Sequence, residues 1–343
     1  MNEWNKIDYN PEVFTELLKN IGVKGVLIEE ILSYDSLENS NMPIYGLIFI
    51  GKYIKNNSYT PNILQYWDKD LFFIKQISQN SSSTQTLIEL ILNNEDKIDM
   101  GPILLEFKST MREMDPLTRA IAFSNNEKIK NEHNKFKIGT SNELNNNINN
   151  INNINNEDAY HIVSFFHYKN AIYEMDGLKE GPILIENNVD FNEWIKKLKN
   201  TLAQRINIYS DNEIKFNLMA LIPDKLAQLK KNKNLLITQK NYIEKKIEGN
   251  NDIKIENELM SLEELNGMNK EQLEEKLKKV ESEINECNNG INIEKMKMNK
   301  YKEENEKRQH NYVPLIFELL KIMDEKGILQ EEYNQALYEQ NNK

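Results

Sequence analysis

The chain has 343 residues, 28% of them charged and 39% hydrophobic, with a formal net charge of -11 and a single cysteine, Cys287. The acidic balance argues against nucleic acid as a general partner, because counterion release needs clustered Lys and Arg. One cysteine excludes an internal disulfide framework, and four histidines without paired Cys or His-x-His spacing make a structural metal site unexpected. The length leaves room for one sizeable core and a smaller second module. The opening MNEWNKIDYN has no apolar h-region, and no run approaches the roughly 18 residues of a membrane span. The expectation is a soluble intracellular protein with no membrane partner.

Asn10-Pro11 opens a helix through Val13, Phe14, Leu17 and Leu18 that stops near Gly22. Strand-like runs follow at Gly25 to Ile28 and Ile44 to Ile50, the second almost continuously apolar, as a buried strand would be. Asn56 to Pro61 reads as a loop. Leu71 to Leu92 (LFFIKQISQNSSSTQTLIELIL) passes from an apolar opening through a serine-rich run into helical spacing at Leu87, Leu90 and Ile91. Asn80 or Ser81 is its expected N-cap, which puts Ser82 in the first turn, at the positive end of the helix dipole. Helices are expected over Ile103 to Met114 and from Asp115-Pro116 onward.

From Lys135 to Asn156 the chain turns to asparagine, an apolar-poor tract that reads as a flexible loop inside the fold. Tyr160 to Tyr168 and Ala171 to Met175 then form a hairpin through Lys169-Asn170, and Asp176-Gly177 turns the chain. Pro182 to Ile185 is short and extended, Phe191 to Ile208 helical, and Ile214 to Ile222 a further strand. Strands scattered among helices, with antiparallel pairing, indicate an α+β or α/β domain of about 220 residues. After Pro223 the strand signal ends. Lys225 to Glu248 and Gln272 to Arg308 read as long helices around a loose stretch near Gly249 to Gly267. Tyr312 to Met323 carries a dense apolar face that meets a helix or a partner, or packs back on the domain.

With these segments in place, the sequence resembles a ubiquitin carboxyl-terminal hydrolase of the long, proteasome-associated type. The resemblance rests on Pro11 to Leu18 (PEVFTELL), Gly46 to Ile50 (GLIFI), Phe72 to Gln76 (FFIKQ), Ser83-Thr84-Gln85, Glu157 to His161 (EDAYH), Tyr173 to Pro182 (YEMDGLKEGP), Ile214 to Ala220 (IKFNLMA) and HNYVPLIFELL in the extension. It implies a papain-like α/β/α fold of the α+β class. A central, mainly antiparallel sheet flanked by helices would occupy residues 1–223, with an all-helical extension over 224–343. It implies no cofactor and thiol chemistry on the ubiquitin C-terminus. Carried over position by position, the oxyanion donor falls on Gln76, the general base on His161 and the residue that orients the base on Asp176. The chemistry needs each of them: a base within reach of a nucleophile, a fixed tautomer and a placed donor for the oxyanion. His133, His167 and His310 read as structural or surface residues.

The family's nucleophile is a cysteine six residues after the glutamine, and here that position is Ser82. Cys287 lies far along the extension and is no substitute. A cysteine at a helix start beside a histidine ionises before substrate arrives, whereas a serine hydroxyl must lose its proton during attack. Losing a member of a catalytic triad costs on the order of 10⁴ to 10⁶ in kcat, and a loss approaching that scale is expected. Three readings stay open: an engineered serine that traps ubiquitin, a natural loss of activity, or a working serine variant. An alternative to enzyme function is a non-catalytic ubiquitin-binding protein that docks on a receptor.

The resemblance further implies that 135–156 crosses over the cleft as a gate, with a low-complexity expansion as the alternative. It implies that 301–330 binds the DEUBAD-type domain of a proteasomal ubiquitin receptor through Tyr312, Pro314, Leu315 and Phe317. A chromatin-remodeller subunit is a competing partner. It implies residence in cytoplasm and nucleus.

Overall fold

The computed structural model describes residues 3–33, 37, 42–52, 61–137, 160–211, 216–248 and 267–341. Helix α1 (Pro11–Ile21) buries Val13, Phe14, Leu17 and Leu18 and ends at Gly22, whose φ of 107° is a left-handed cap that glycine adopts without strain. Strand β1 (Val26–Glu30) begins one residue later than the sequence suggests, because Gly25 has φ 77° and lies outside extended geometry. Its pairing with the last strand carries it to Glu30.

Strands β2 (Gly46–Lys52), β3 (Tyr160–Tyr168), β4 (Ala171–Met175), β5 (Ile183–Asn187) and β6 (Phe216–Pro223) complete a six-stranded sheet of order β1-β6-β2-β3-β4-β5. Every neighbouring pair is antiparallel. The hairpin between β3 and β4 turns on Lys169 and Asn170, with φ 42° and 61°, the positive values a two-residue turn needs to match strand twist.

Alternation along the central strands divides the core into two layers. Ile48, Ile50, Ile162, Phe166, Met219 and Leu221 point into one cluster with α1 and the helices that follow β2. Leu47, Phe49, Val163, Phe165, Leu218 and Ala220 point into the other, with Trp194, Leu198 and Leu202. Burial on both faces explains why β2 and β6 read as nearly unbroken apolar runs.

The first layer holds α2 (Ser82–Leu92), α3 (Gly101–Met111), α4 (Pro116–Ser124) and α5 (Glu127–Asn134). Asp115 caps α4 as its sequence promises, accepting from the N–H groups of Leu117 and Thr118. The Met114 end expected for the preceding helix is cut back to Met111. Helix α5, which has little apolar content, is not legible in the sequence, although Asn126 caps it. The second layer is α6 (Trp194–Asp211), which starts three residues after the expected Phe191. Most of the asparagine tract and the stretch near 249–266 lie outside the described residues.

The extension is helical. Asp224 caps α7 (Lys225–Ile247), and Asn269 opens α8 (Lys270–Gln309) in a capping box with Gln272. The two helices pack through Ile243, Leu273 and Val280, and Lys240 pairs with Glu281 at 2.7 Å. The far end of α8 comes back to α1: Asn305 donates to the Glu12 carbonyl at 3.0 Å, and Arg308 pairs with the Glu12 carboxylate at 2.7 Å. Glu29 on β1 takes Lys225 at 2.6 Å and is also paired with Lys297. Helices α9 (Val313–Glu325) and α10 (Leu329–Asn341) follow, and α9 buries none of its residues. Its apolar face therefore does not pack back on the domain. Among the described residues, no helix is long and apolar enough to cross a membrane.

One close backbone approach fixes how α1 meets α3. Gly101 has φ 70°, and a Cβ there would lie 2.3 Å from the Gly22 carbonyl oxygen. Gly101→Ala is expected to destabilise the chain by about 3 kcal/mol through combined strain and overlap, read from the midpoint of urea unfolding.

Candidate active site

The segment from Leu71 to Gln76 belongs to no helix or strand, so its buried peptide groups need partners elsewhere. Polar side chains on and just after α2 supply them. Glu89 accepts from Ile74 N–H at 2.6 Å, Gln85 Nε2 donates to the Ile74 carbonyl at 2.8 Å, and Asn93 bonds both the N–H and the carbonyl of Phe72. That is why a helix buried along its whole length keeps Gln85 and Glu89. Burial pushes the Glu89 carboxyl well above its ordinary range, although the Ile74 N–H and Arg119 pull the other way.

Ser82 begins α2 and is 3% exposed. The expected side-chain cap is absent: Ser81 sits in helical geometry, its hydroxyl donates back to Ser78, and Asn80 Nδ2 is drawn away to the Trp4 carbonyl at 2.9 Å. The Ser82 hydroxyl donates to the Gln79 carbonyl at 2.7 Å. The oxygen is thus held by its own loop.

His161 is the second residue of β3, opposite Gly51 of β2. Asp176 follows the last residue of β4, and antiparallel pairing of β3 with β4 returns it to the His161 end of the hairpin. His161 Nε2 lies 3.0 Å from Asp176 Oδ1, with side chains 16% and 3% exposed. Burial alone would push the Asp176 carboxyl up, but His161 and the Leu178 N–H hold it below the ordinary carboxylate value. Two residues earlier, Glu174 pairs with Arg205 at 2.6 Å, yet its burial keeps that carboxyl raised.

Gln76 is half-buried and its N–H donates to the Gly177 carbonyl at 2.8 Å. The fold therefore brings Gln76 against the Asp176-Gly177 turn, and Asp176 against His161. Beside them a groove of about 370 Å³ is lined by Asp8, Tyr9, Ile50, Tyr160, Phe216 and Asn217, among others. No local pattern announces these lining residues, because they come from three strands and the N-terminal segment. Tyr312, Pro314, Leu315 and Phe317 sit apart on α9 and at its start, all exposed.

The remaining histidines are accounted for. His167 Nε2 is 2.6 Å from the Val189 carbonyl, and His310 is exposed and stacks edge-on with Tyr312. His133 is fully buried between α2 and the N-terminal segment. Its Nε2 lies 2.7 Å from the Asn5 carbonyl, which accepts only, so Nε2 carries the proton and Nδ1 accepts from the Thr84 hydroxyl at 2.6 Å.

Comparison with known proteins supplies the family. The pattern of ubiquitin carboxyl-terminal hydrolase, family 1, matches residues 4–207, more than half of the chain. The chain belongs to that family. A second pattern, of the C-terminal part of ubiquitin carboxyl-terminal hydrolases, matches residues 284–329. Ubiquitin carboxyl-terminal hydrolase ubh-4 of Caenorhabditis elegans is 35% identical over 329 residues, covering 95% of this chain and 89% of the relative. Isozyme L5 of Dictyostelium discoideum is 35% identical over 339 residues, covering 95% and 93%. Among solved structures, Trichinella spiralis UCH37 bound to ubiquitin vinyl methyl ester superposes with a TM-score of 0.62 at 24% identity, covering 88% of this chain and all of that one. The catalytic domain of the same UCH37, also bound to ubiquitin vinyl methyl ester, is 29% identical, with a TM-score of 0.54 over 65% of this chain.

Burial lowers the His133 pKa from 6.5 to about 4. A depressed folded-state value means stability is full above pH 6.5 and is lost as pH falls toward 4, at roughly 3 kcal/mol in all. Urea unfolding from pH 7 to pH 4.5 is expected to show this loss, and His133→Gln to flatten it.

Proposed function

We propose that this chain binds ubiquitin through its C-terminal tail and carries the frame of a thiol deubiquitinase, with turnover lost or strongly impaired by Ser82. The observation that carries the proposal is the 3.0 Å approach of His161 Nε2 to Asp176 in a family-1 fold whose α2 begins at Ser82. In this reading Gln76 donates to the oxyanion, His161 exchanges a proton with the attacking and leaving groups, and Asp176 orients the ring. The groove along Tyr9, Tyr160 and Phe216 takes the ubiquitin tail. The relative solved with ubiquitin vinyl methyl ester supports ubiquitin as ligand.

Ser82 decides between turnover and binding. Its hydroxyl is committed to the Gln79 carbonyl, and a serine hydroxyl stays protonated until a base takes its proton, so attack needs that bond broken and the proton removed together. This favours the second reading, a ubiquitin-binding protein that docks on a receptor without useful turnover. A fluorogenic ubiquitin C-terminal amide separates the two. Ser82→Cys is expected to gain turnover by at least 10³-fold over the unaltered chain while ubiquitin affinity changes less than threefold. Turnover by the unaltered chain within tenfold of Ser82→Cys would sink the binding-only reading, and an inert Ser82→Cys chain the assignment of the site.

Residues 1–223 act as the hydrolase domain and 224–343 as an extension whose α9 docks on the DEUBAD-type domain of a proteasomal receptor. The motive is physical: Leu315 and Phe317 are 55% and 64% exposed on a helix that buries nothing. Phe317→Asp is expected to weaken binding to such a domain by at least 30-fold in calorimetry without changing ubiquitin affinity. An unchanged receptor affinity would remove α9 from the interface.

A further inference from the structure

Asp176 begins a turn that is closed upon itself. Leu178 N–H donates to Asp176 Oδ1 at 3.0 Å, and Lys179 N–H donates to the Asp176 carbonyl at 2.9 Å. The carbonyls on the outer side of this turn face Lys75. Its ammonium donates to the Lys179 carbonyl at 3.0 Å, to the Leu178 carbonyl at 3.4 Å and to the Glu180 carboxylate at 2.6 Å. The Lys75 side chain is 24% exposed, so this is a half-covered ammonium held by three oxygens from three consecutive residues. The next residue in the chain is Gln76, whose N–H takes the Gly177 carbonyl at 2.8 Å.

Gly177 is required by space. A Cβ there would lie 2.8 Å from Gln76 Cβ and 2.9 Å from Gln85 Nε2, so any side chain would push the Asp176 turn off the Gln76 segment. Beyond Gln76 the chain is exposed at Ile77 and enters the polar loop, so the amide donor sits at the last anchored position of its segment. A donor aimed at a developing oxyanion acts only if its place is fixed in advance.

We infer that Lys75 and Gly177 are positioning residues that latch the turn carrying Asp176 to the segment carrying Gln76, and so set the spacing between the oxyanion donor and the His161–Asp176 pair. This rests on the function proposed above and extends it to two residues that touch no substrate. The latch joins positions about a hundred apart in the chain through one ammonium and one backbone hydrogen bond. Loosening it disturbs the geometry of the transition state more than the binding of ubiquitin, whose groove is lined by other residues.

The test uses the full chain carrying Ser82→Cys. Lys75→Met keeps the aliphatic stem and removes the ammonium; it is expected to lower kcat on the ubiquitin amide at least tenfold with KM changed less than twofold. Lys75→Arg is expected to restore most of that loss, and Gly177→Ala to repeat the kcat defect. Lys69→Met breaks the exposed Lys69–Glu113 pair and should change neither constant. Amide hydrogen exchange at Gln76, measured in the unaltered chain and in Lys75→Met, should quicken at least tenfold without a global loss of protection. A kcat for Lys75→Met within twofold of its parent, an equal loss in KM, or unchanged exchange at Gln76 overturns the inference. An inert Ser82→Cys parent sinks the underlying function instead, and the exchange measurement then still decides whether the latch exists.

Discussion

The structure depends on a helix that uses polar side chains as if they were a neighbouring strand. The segment Leu71 to Gln76 runs through the core without a ladder, and Glu89, Gln85 and Asn93 satisfy the peptide groups of Phe72 and Ile74. An unpaired buried peptide group costs on the order of 1–3 kcal/mol, so three such residues decide whether the segment can be buried at all. Their register along α2 also fixes where Ser82 and Gln76 fall relative to each other. The geometry of the proposed site and core packing are one constraint here.

The His161–Asp176 pair, the proposed acid–base half of the site, comes from a different source, the antiparallel hairpin of β3 and β4. Its register puts the start of one strand beside the end of the other, which returns Asp176 to His161 across fifteen residues of chain. The Asp176-Gly177 turn then rests on the Gln76 segment. The two halves meet through backbone and through Lys75.

The extension is not a loose tail over its first two helices. Asn305 and Arg308 near the end of α8 hold Glu12, and Glu29 holds Lys225 and Lys297, so charges from both ends of the sequence tie α8 to α1 and β1. Arg308 also lies 3.4 Å from Asp8, one wall of the groove beside the site. After α8 the chain changes character, and α9 and α10 leave their apolar residues exposed. That exposed apolar face is the one the docking proposed above would use.

Much of this was legible in residues. Periodicity marked α1, β3, β4, β6 and both long helices to within a few residues, because burial on one or both faces leaves a local imprint. The Asp115-Pro116 and Asn10-Pro11 pairs marked helix starts for the same local reason. The spacing from Gln76 to Ser82, and from His161 to the Asp-Gly turn, pointed to a site once a family resemblance supplied the frame. What the sequence could not carry was proximity between distant positions. Ser81 and Asn80 looked like caps, but tertiary partners, Trp4 above all, took the Asn80 side chain instead. His133 gave no local sign that it would lock the N-terminal segment to α2, and nothing local marked Lys75 as the partner of the Asp176 turn. Local order follows from local pattern, whereas the partner of a polar side chain is chosen only when the chain has folded back on itself.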